Sequence, residues 1–353
     1  MQPRAAARAI DALRRGWPVG VVAGDGVLRL LAIEGADAVT LAGFDPAGQA
    51  DILISASRAQ TLKLANQRDA ADPDRPVLVA RMPWIDRDVA TAIADPVLDL
   101  HSPLKGPFTA KPLAAVQAAA AALRLARLAG ILPAFFVQRG DGPTEASVSA
   151  EDIAGYDDAA TLAIATRASL PVAASESAQI VAFRSPDDSR EHVALLLGRR
   201  ESSPPVVRLH SECLTGDVLG SLKCDCGPQL HQALHAIADA PWGILLALRQ
   251  EGRGIGLINK LRAYALQDQG FDTVDANVRL GFAVDARDFS VAARMLDLLG
   301  VGSVRLLTNN PNKVAGLEAA GVRVIERLPI SLPANPHNER YLATKRDRTG
   351  HQL

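Results

Sequence analysis

Aromatic residues are scarce: Phe, Tyr and Trp together make up 4% of the 353 residues. Cores cannot be built around large rings, so Ala, Leu and Val must fill them at ordinary packing density. Net charge is nearly absent too, with 38 Lys and Arg against 39 Asp and Glu. A net charge of -1 excludes general attraction to nucleic acid or an anionic membrane. Any phosphate binding must come from local placement of Arg and Lys. No stretch approaches the ~20 uninterrupted apolar residues that span a bilayer. The longest Ala-rich run, Leu113 to Leu132, is interrupted by Arg124, Arg127 and Gly130 and reads as a buried or half-buried helix. The segment MQPRAAARAIDALRRGWPVGVV alternates charged and apolar residues and lacks a signal-peptide apolar region, which makes the cytoplasm the expected compartment. Cysteine is rare as well. Three occur, all within residues 213–226, and an odd, clustered set argues for metal or thiol chemistry over a disulfide framework.

What is present is a chain long enough for two domains, with 48% hydrophobic and 22% charged residues. In the first half, Ala5–Arg15 has helical periodicity broken by Gly16-Trp17-Pro18. Val19–Val22 and Ala50–Ile54 read as strands, Leu113–Ala129 as a helix closed by Gly130, and Leu132–Val137 as a buried strand. The small, polar stretch RASLPVAASES (Arg167–Ser177) marks a domain boundary near residue 170, giving domains 1–170 and 171–353. The second half alternates more regularly. Strands are expected at Val206–His210, Gly243–Leu248, Val304–Leu307 and Val322–Ile325, and helices at Pro228–Ala238, Gly256–Gln269, Phe289–Leu299 and Lys313–Ala320. That is the pattern of a mixed α/β fold with two domains. The tail from Pro336 to Leu353 is polar and expected to be partly mobile.

The cysteines stand in HSECLTGDVLGSLKCDCG as C-x10-C-x-C: Cys213, Cys224 and Cys226. Two thiolates one residue apart can be aimed at one ion, with the third arriving across a short loop. Three sulfurs leave one tetrahedral position open, the ligand count of a catalytic zinc site. Spacing alone also allows a structural site with His210 or His231 as fourth ligand, or three unconnected buried thiols. Polar clusters follow the cysteines at the ends of expected strands, where α/β domains place their sites. RQEGRGIG sets Arg249, Glu251 and Arg253 among three glycines, suited to an anion or to an ordinary solvated turn. TNNPNK brings Thr308 and Lys313 to a helix start, suited to an anion or to plain capping. Asp285 and Arg287 in GFAVDARDF could equally be a surface ion pair.

Taken together, RLHSECLTGDVLGSLKCDCG, RQEGRGIGLINKLRAYALQDQG, LGFAVDARDF, LLTNNPNK and the closing NPHNERYLATK…GH resemble GTP cyclohydrolase II through most of residues 175–353. The resemblance implies that Cys213, Cys224 and Cys226 hold zinc, whose water attacks C8 of guanine so that the ring opens and formate leaves. It implies GTP contacts from Arg208, His210, Ser211, Glu212, Gln229, Glu251, Gly252, Arg253, Thr273, Thr308 and Lys313. Asp285 matches the proton acceptor, Arg287 the proposed nucleophile towards the α-phosphorus, and Tyr264 a residue assisting ring hydrolysis. It further implies Mg²⁺ on the triphosphate, pyrophosphate and a diaminopyrimidinone as products, a homodimer, and no nucleic-acid or membrane partner. A paralogue of another pathway and a non-catalytic GTP-binding regulator are the alternative readings.

AIDALRRGWPVGVV and LRLARLAGILPAFFV are similar to segments of 3,4-dihydroxy-2-butanone 4-phosphate synthase. The departures matter more. Where that family carries a dense acidic run, AGDGVLRLLA holds only Asp25, and the family's expected His and Glu fall on Ala118 and Ala120. An alanine can neither ligate a metal nor move a proton, so the first half is expected to be a synthase-like fold without its chemistry.

Overall fold

The computed structural model describes residues 3–186, 188–350 and 352. The chain folds as two compact units. The first runs to Asp157 and also takes in Ile255–Ala286, and the second comprises Asp158–Gly254 and Arg287–Leu353.

The first unit is built on a seven-stranded sheet. Its strands are β1 (Val19–Ala23), β2 (Gly26–Ala32), β3 (Asp51–Ile54), β4 (Val77–Val79), β5 (Ala110–Lys111), β6 (Ala134–Arg139) and β7 (Ala146–Ser149), in the order β5-β4-β3-β6-β2-β1-β7. All neighbours pair antiparallel except β1 and β7. Successive side chains on a strand point to opposite faces, and the sequence exploits that period. Leu28, Leu30 and Ala32 enter one core while Leu31 and Ile33 enter the other, and Phe135 and Val137 alternate in the same way with Ala134 and Phe136. The helix Val116–Ala129 covers the first face with the fully buried Ala118, Ala119, Ala122 and Ala126, so small residues do the packing that rings do elsewhere. It ends on Gly130 at φ 72°, the left-handed closure expected from sequence. Asp25 accepts from the amides of Gln117 (2.6 Å) and Ala118 (3.3 Å), so its carboxylate is spent on the first turn of that helix.

The second face is covered in part by residues far along the chain. Ile255, Ala263, Leu266, Ala276, Leu280 and Phe282 join the same core as Ile52, Ile54 and Phe136. They sit on or beside two helices, Leu257–Asp268 and Thr273–Arg279. Polar ties reinforce the seam: Arg262 pairs with Glu34 (3.0 Å) and Asp95 (3.2 Å), and the fully buried Asn259 donates to the Gly130 carbonyl (3.2 Å).

The second unit has its own seven-stranded sheet. Its strands are β8 (Ala163–Ser169), β9 (Gln179–Arg184), β10 (Glu191–Gly198), β11 (Val206–Ser211), β12 (Trp242–Leu248), β13 (Ser303–Leu307) and β14 (Arg323–Leu328), in the order β14-β13-β11-β12-β10-β9-β8. β8 to β10 form an antiparallel meander, whereas β12, β11, β13 and β14 run parallel. The helix Ser290–Leu298 packs on one face through Met295 and Leu296, and Cys226–Ala238 on the other through Ala233 and Ile237.

Three features differ from the sequence reading. No domain boundary falls near residue 170; Arg167–Ser177 holds the end of the edge strand β8 and the largely exposed turn into β9, which explains its polar composition, and the units part at Asp157. The segment 255–286, read as part of the second domain, belongs to the first unit. The polar tail holds a helix, Glu339–Thr349, with Thr344 and Lys345 buried. His351, the end of the closing motif, lies outside the described residues. Among the described residues, no helix is long and apolar enough to cross a membrane.

Candidate metal centre and nucleotide site

In the second unit, β11 is flanked by β12 on one side and β13 on the other, both parallel to it. The chain leaves β11 in one direction and returns on the other side of it. Such a reversal opens a crevice at the carboxyl ends of the strands, where α/β sheets bind ligands. Most of the expected site residues gather on those ends: His210 and Ser211 on β11, Glu251 to Arg253 after β12, and Thr308 after β13.

Past β11 the chain enters a tight turn, Leu214–Val218, whose first amides need acceptors. The Cys213 sulfur accepts from Gly216 N (3.3 Å) and Asp217 Oδ2 accepts from Cys213 N (3.0 Å). Cys224 and Cys226 lie at the start of the helix Cys226–Ala238. The three sulfurs all fall within 4.8 Å of one another, with Cys213 and Cys224 3.7 Å apart. Metal–sulfur bonds of ~2.3 Å at a tetrahedral angle would separate two sulfurs by about 3.8 Å, so the donor set fits zinc. Hydrogen bonds from Cys213 and Cys224, followed by burial, push the Cys226 thiol well above its ordinary range. A cation is therefore what would hold these sulfurs as thiolates. Among the described residues no histidine joins the cluster: His210 Nε2 is 2.8 Å from Asp217 Oδ2 instead.

Two glycines that the motif reading passed over make this pocket possible. A Cβ on Gly216 would lie 2.8 Å from Cys224 Sγ, 3.0 Å from Cys213 Sγ and 3.0 Å from Cys226 Cβ, and one on Gly227 would lie 2.4 Å from the Gly216 carbonyl oxygen. Gly216→Ala should therefore spread all three ligands, at an overpacking cost of about 1–3 kcal/mol. Metal content and turnover should both fall at least tenfold. A variant with a full metal complement and unchanged turnover would show that the pocket relaxes.

Around the thiols the groups are polar and largely buried. Arg208 is 5% exposed, and desolvation lowers its pKa to about 10. It donates from Nη1 to the Leu307 carbonyl (3.0 Å) and from Nη2 to Gln229 Oε1 (2.5 Å), and among the described residues its buried Nε finds no hydrogen-bond partner. Lys313 is buried and donates to the Leu209 carbonyl (2.7 Å), and the hydroxyl of Thr308 accepts from Asn310 N. Both Glu251 oxygens accept from backbone, Leu214 N at 2.7 Å and Gly252 N at 2.9 Å, which ties the loop after β12 to the cysteine turn. Gly252 and Arg253 are both left-handed, at φ 63° and 61°. For arginine that conformation costs about 1–2 kcal/mol, so the surroundings must impose it. His192, buried and neutral because burial lowers its pKa to about 4, accepts from Arg249 N (3.1 Å) and steadies the same loop. Arg287 Nη1 lies 3.5 Å from Ser211 Oγ, and its guanidinium sits 5.4 Å from the Phe289 ring centre. Glu212 pairs with the exposed Arg249 at 3.2 Å.

Three expected residues lie on the other unit. Tyr264 stands beside Lys260, Thr273 Oγ1 accepts from Gln267 (3.1 Å), and Asp285 lies near the end of the 255–286 segment.

A family profile described as GTP cyclohydrolase II matches residues 163–329. A GTP cyclohydrolase-2 of Azospirillum brasilense is 42% identical over 99% of this chain and 94% of its own length. One from Azotobacter vinelandii is 59% identical over 46% of this chain and 79% of its own length, and a riboflavin biosynthesis protein RibBA of Bacillus cereus is 58% identical over 47% and 42%. A solved two-domain 3,4-dihydroxy-2-butanone 4-phosphate synthase from A. baumannii aligns over 93% of this chain and 99% of its own at 17% identity and a TM-score of 0.31.

Proposed function

We propose, for a chain that belongs to the GTP cyclohydrolase II family, that Cys213, Cys224 and Cys226 hold a catalytic zinc ion. The chain is a hydrolase of that family, acting on GTP at the first step of riboflavin biosynthesis. Formate and pyrophosphate leave, and 2,5-diamino-6-(5-phosphoribosylamino)pyrimidin-4(3H)-one remains. The observation that carries the zinc reading is the trio of sulfurs within 4.8 Å of one another, Cys213 and Cys224 at a separation of 3.7 Å that suits a tetrahedral ion, with no histidine joining them among the described residues. A zinc ion there would supply hydroxide at neutral pH for attack on guanine C8.

The chain's own groups do the rest. Arg208, Arg253 and Lys313 offset phosphate charge, aided by Mg²⁺ on the triphosphate. Gln229 reads the guanine edge, and His210, Ser211, Glu212, Glu251, Gly252 and Thr308 shape the pocket. Tyr264, Thr273 and Asp285 keep the roles implied by their motif positions: assisting ring hydrolysis, contacting the nucleotide and accepting a proton. Arg287 stabilises departing pyrophosphate rather than attacking phosphorus, because a guanidinium stays protonated at neutral pH. The first half is a synthase-like domain without chemistry, since Asp25 is committed to a helix end and Ala118 and Ala120 carry no reactive group. We further propose a cytoplasmic homodimer.

The test is direct. Purified protein should release formate and pyrophosphate from GTP, contain about one zinc per chain, and form no four-carbon phosphate from ribulose 5-phosphate. Each single Cys→Ser variant should lose both zinc and turnover. Stoichiometric zinc in all three variants, or no formate from the parent protein, would sink the reading.

A further inference from the structure

The closing motif, NPHNERYLATK, has no part in the chemistry described so far, yet its lysine reaches the zinc loop. Lys345, on the helix Glu339–Thr349, is 9% exposed and donates from Nζ to Asp225 Oδ1 at 2.6 Å. Asp225 is the residue between Cys224 and Cys226 and is itself 4% exposed. Its other oxygen accepts from Gln229 Nε2 at 2.6 Å, and Gln229 Oε1 accepts from Arg208 Nη2 at 2.5 Å. Four side chains thus form one line, buried except at the half-buried Gln229: ammonium, carboxylate, amide and guanidinium.

The order in that line has a consequence. An amide has a donor end and an acceptor end, and only one orientation satisfies both neighbours. Turned over, Gln229 would face the Arg208 donors with its own N–H groups and the Asp225 carboxylate with its oxygen. The charges on either side therefore decide which way the amide presents its remaining hydrogen and lone pair. Asp225 can play this part only while it is held in place, and the cation that touches it from the far side is Lys345, at 2.6 Å. The Tyr341 ring, 4.4 Å from Lys345 Nζ, holds that ammonium in place.

We infer that Lys345 is a positioning residue that fixes the orientation of the Gln229 amide through Asp225, which makes the C-terminal helix part of the base-reading apparatus. This rests on the reading that Gln229 meets the guanine edge of GTP.

The experiment compares the parent chain with Lys345→Met and Lys345→Arg. It measures kcat and KM for GTP and for ITP, which lacks the 2-amino group, together with zinc content. In Lys345→Met, zinc should stay at the parent level, kcat/KM for GTP should fall about tenfold or more, chiefly through KM, and the preference for GTP over ITP should shrink by about the worth of one hydrogen bond, several-fold to tenfold. Lys345→Arg should restore most of both. If Lys345→Met fails to fold, the double variant Lys345→Met/Asp225→Asn removes both charges together, and its preference for GTP should shrink likewise. A parent-like KM and GTP-to-ITP ratio in the folded variant would overturn the inference while leaving the cyclohydrolase reading intact. Absence of formate release from the parent chain would overturn both.

Discussion

A chain beginning at residue 158 is expected to be insoluble or self-associated, and inactive, although it retains the whole of the family match. The reason is the segment 255–286. Its Ile255, Leu266, Leu280 and Phe282 are between 0% and 6% exposed and share a core with residues from β3, β4 and β6. Each such side chain is worth about 1.5–3 kcal/mol when buried, so the four contribute roughly 6–12 kcal/mol. That is comparable to the whole stability of an ordinary domain, about 5–15 kcal/mol. Removing residues 1–157 would also strip Arg262 of both its carboxylate partners, Glu34 and Asp95. The same segment carries Tyr264, Thr273 and Asp285, to which the proposed function gives parts in the reaction, so turnover is expected to fail with packing. Size-exclusion chromatography and formate release on the fragment decide the matter. A monomeric, fully active fragment would show that the segment has another way to cover its apolar face and that the first half is dispensable.

Arg287→Ala should lose about 10²–10³ in kcat, the usual effect of removing one well-placed stabiliser of transition-state charge, roughly 3–4 kcal/mol. Stability should change little, because the side chain is half-buried and belongs to none of the hydrophobic cores. Arg287→Lys is the sharper probe. It keeps the charge but not the guanidinium, so near-parent turnover would exclude a covalent guanidinium–phosphate intermediate and support electrostatic stabilisation. Thermal unfolding of both variants, read beside their rates, separates a chemical loss from a structural one.

The parts of this molecule that could be read in advance were those written locally. Helical periodicity ending in Gly130 located the helix Val116–Ala129 to within three residues at its start, and apolar runs located β11, β12 and β13. Three cysteines in 14 residues pointed to their cluster because so short a loop can bring them together. What escaped notice depends on contacts between distant residues. The end of β8 and its turn into β9 look like a linker because an edge strand tolerates polar side chains on both faces. Nothing local marks Gly216, which is small because three cysteine side chains crowd it. The helices of 255–286 were visible, but which sheet they cover is decided by Ile52, Phe136 and other residues more than a hundred positions away. The polar tail hid a docked helix because its anchor is a lysine, a residue that composition assigns to solvent.

That discontinuous first unit also bears on how the protein is made. The ribosome finishes residue 157 well before residue 286, and 286 − 157 leaves 129 residues still to be added. At about 5–20 residues per second, that is a wait of roughly 6–26 s. During it, the core around Ile52, Ile54 and Phe136 lacks the part of its cover that Ile255, Ala263, Leu266, Ala276, Leu280 and Phe282 supply in the finished fold. Codon choice across residues 158–286, which bears on no contact in the finished molecule, would thereby govern how much of the protein reaches it.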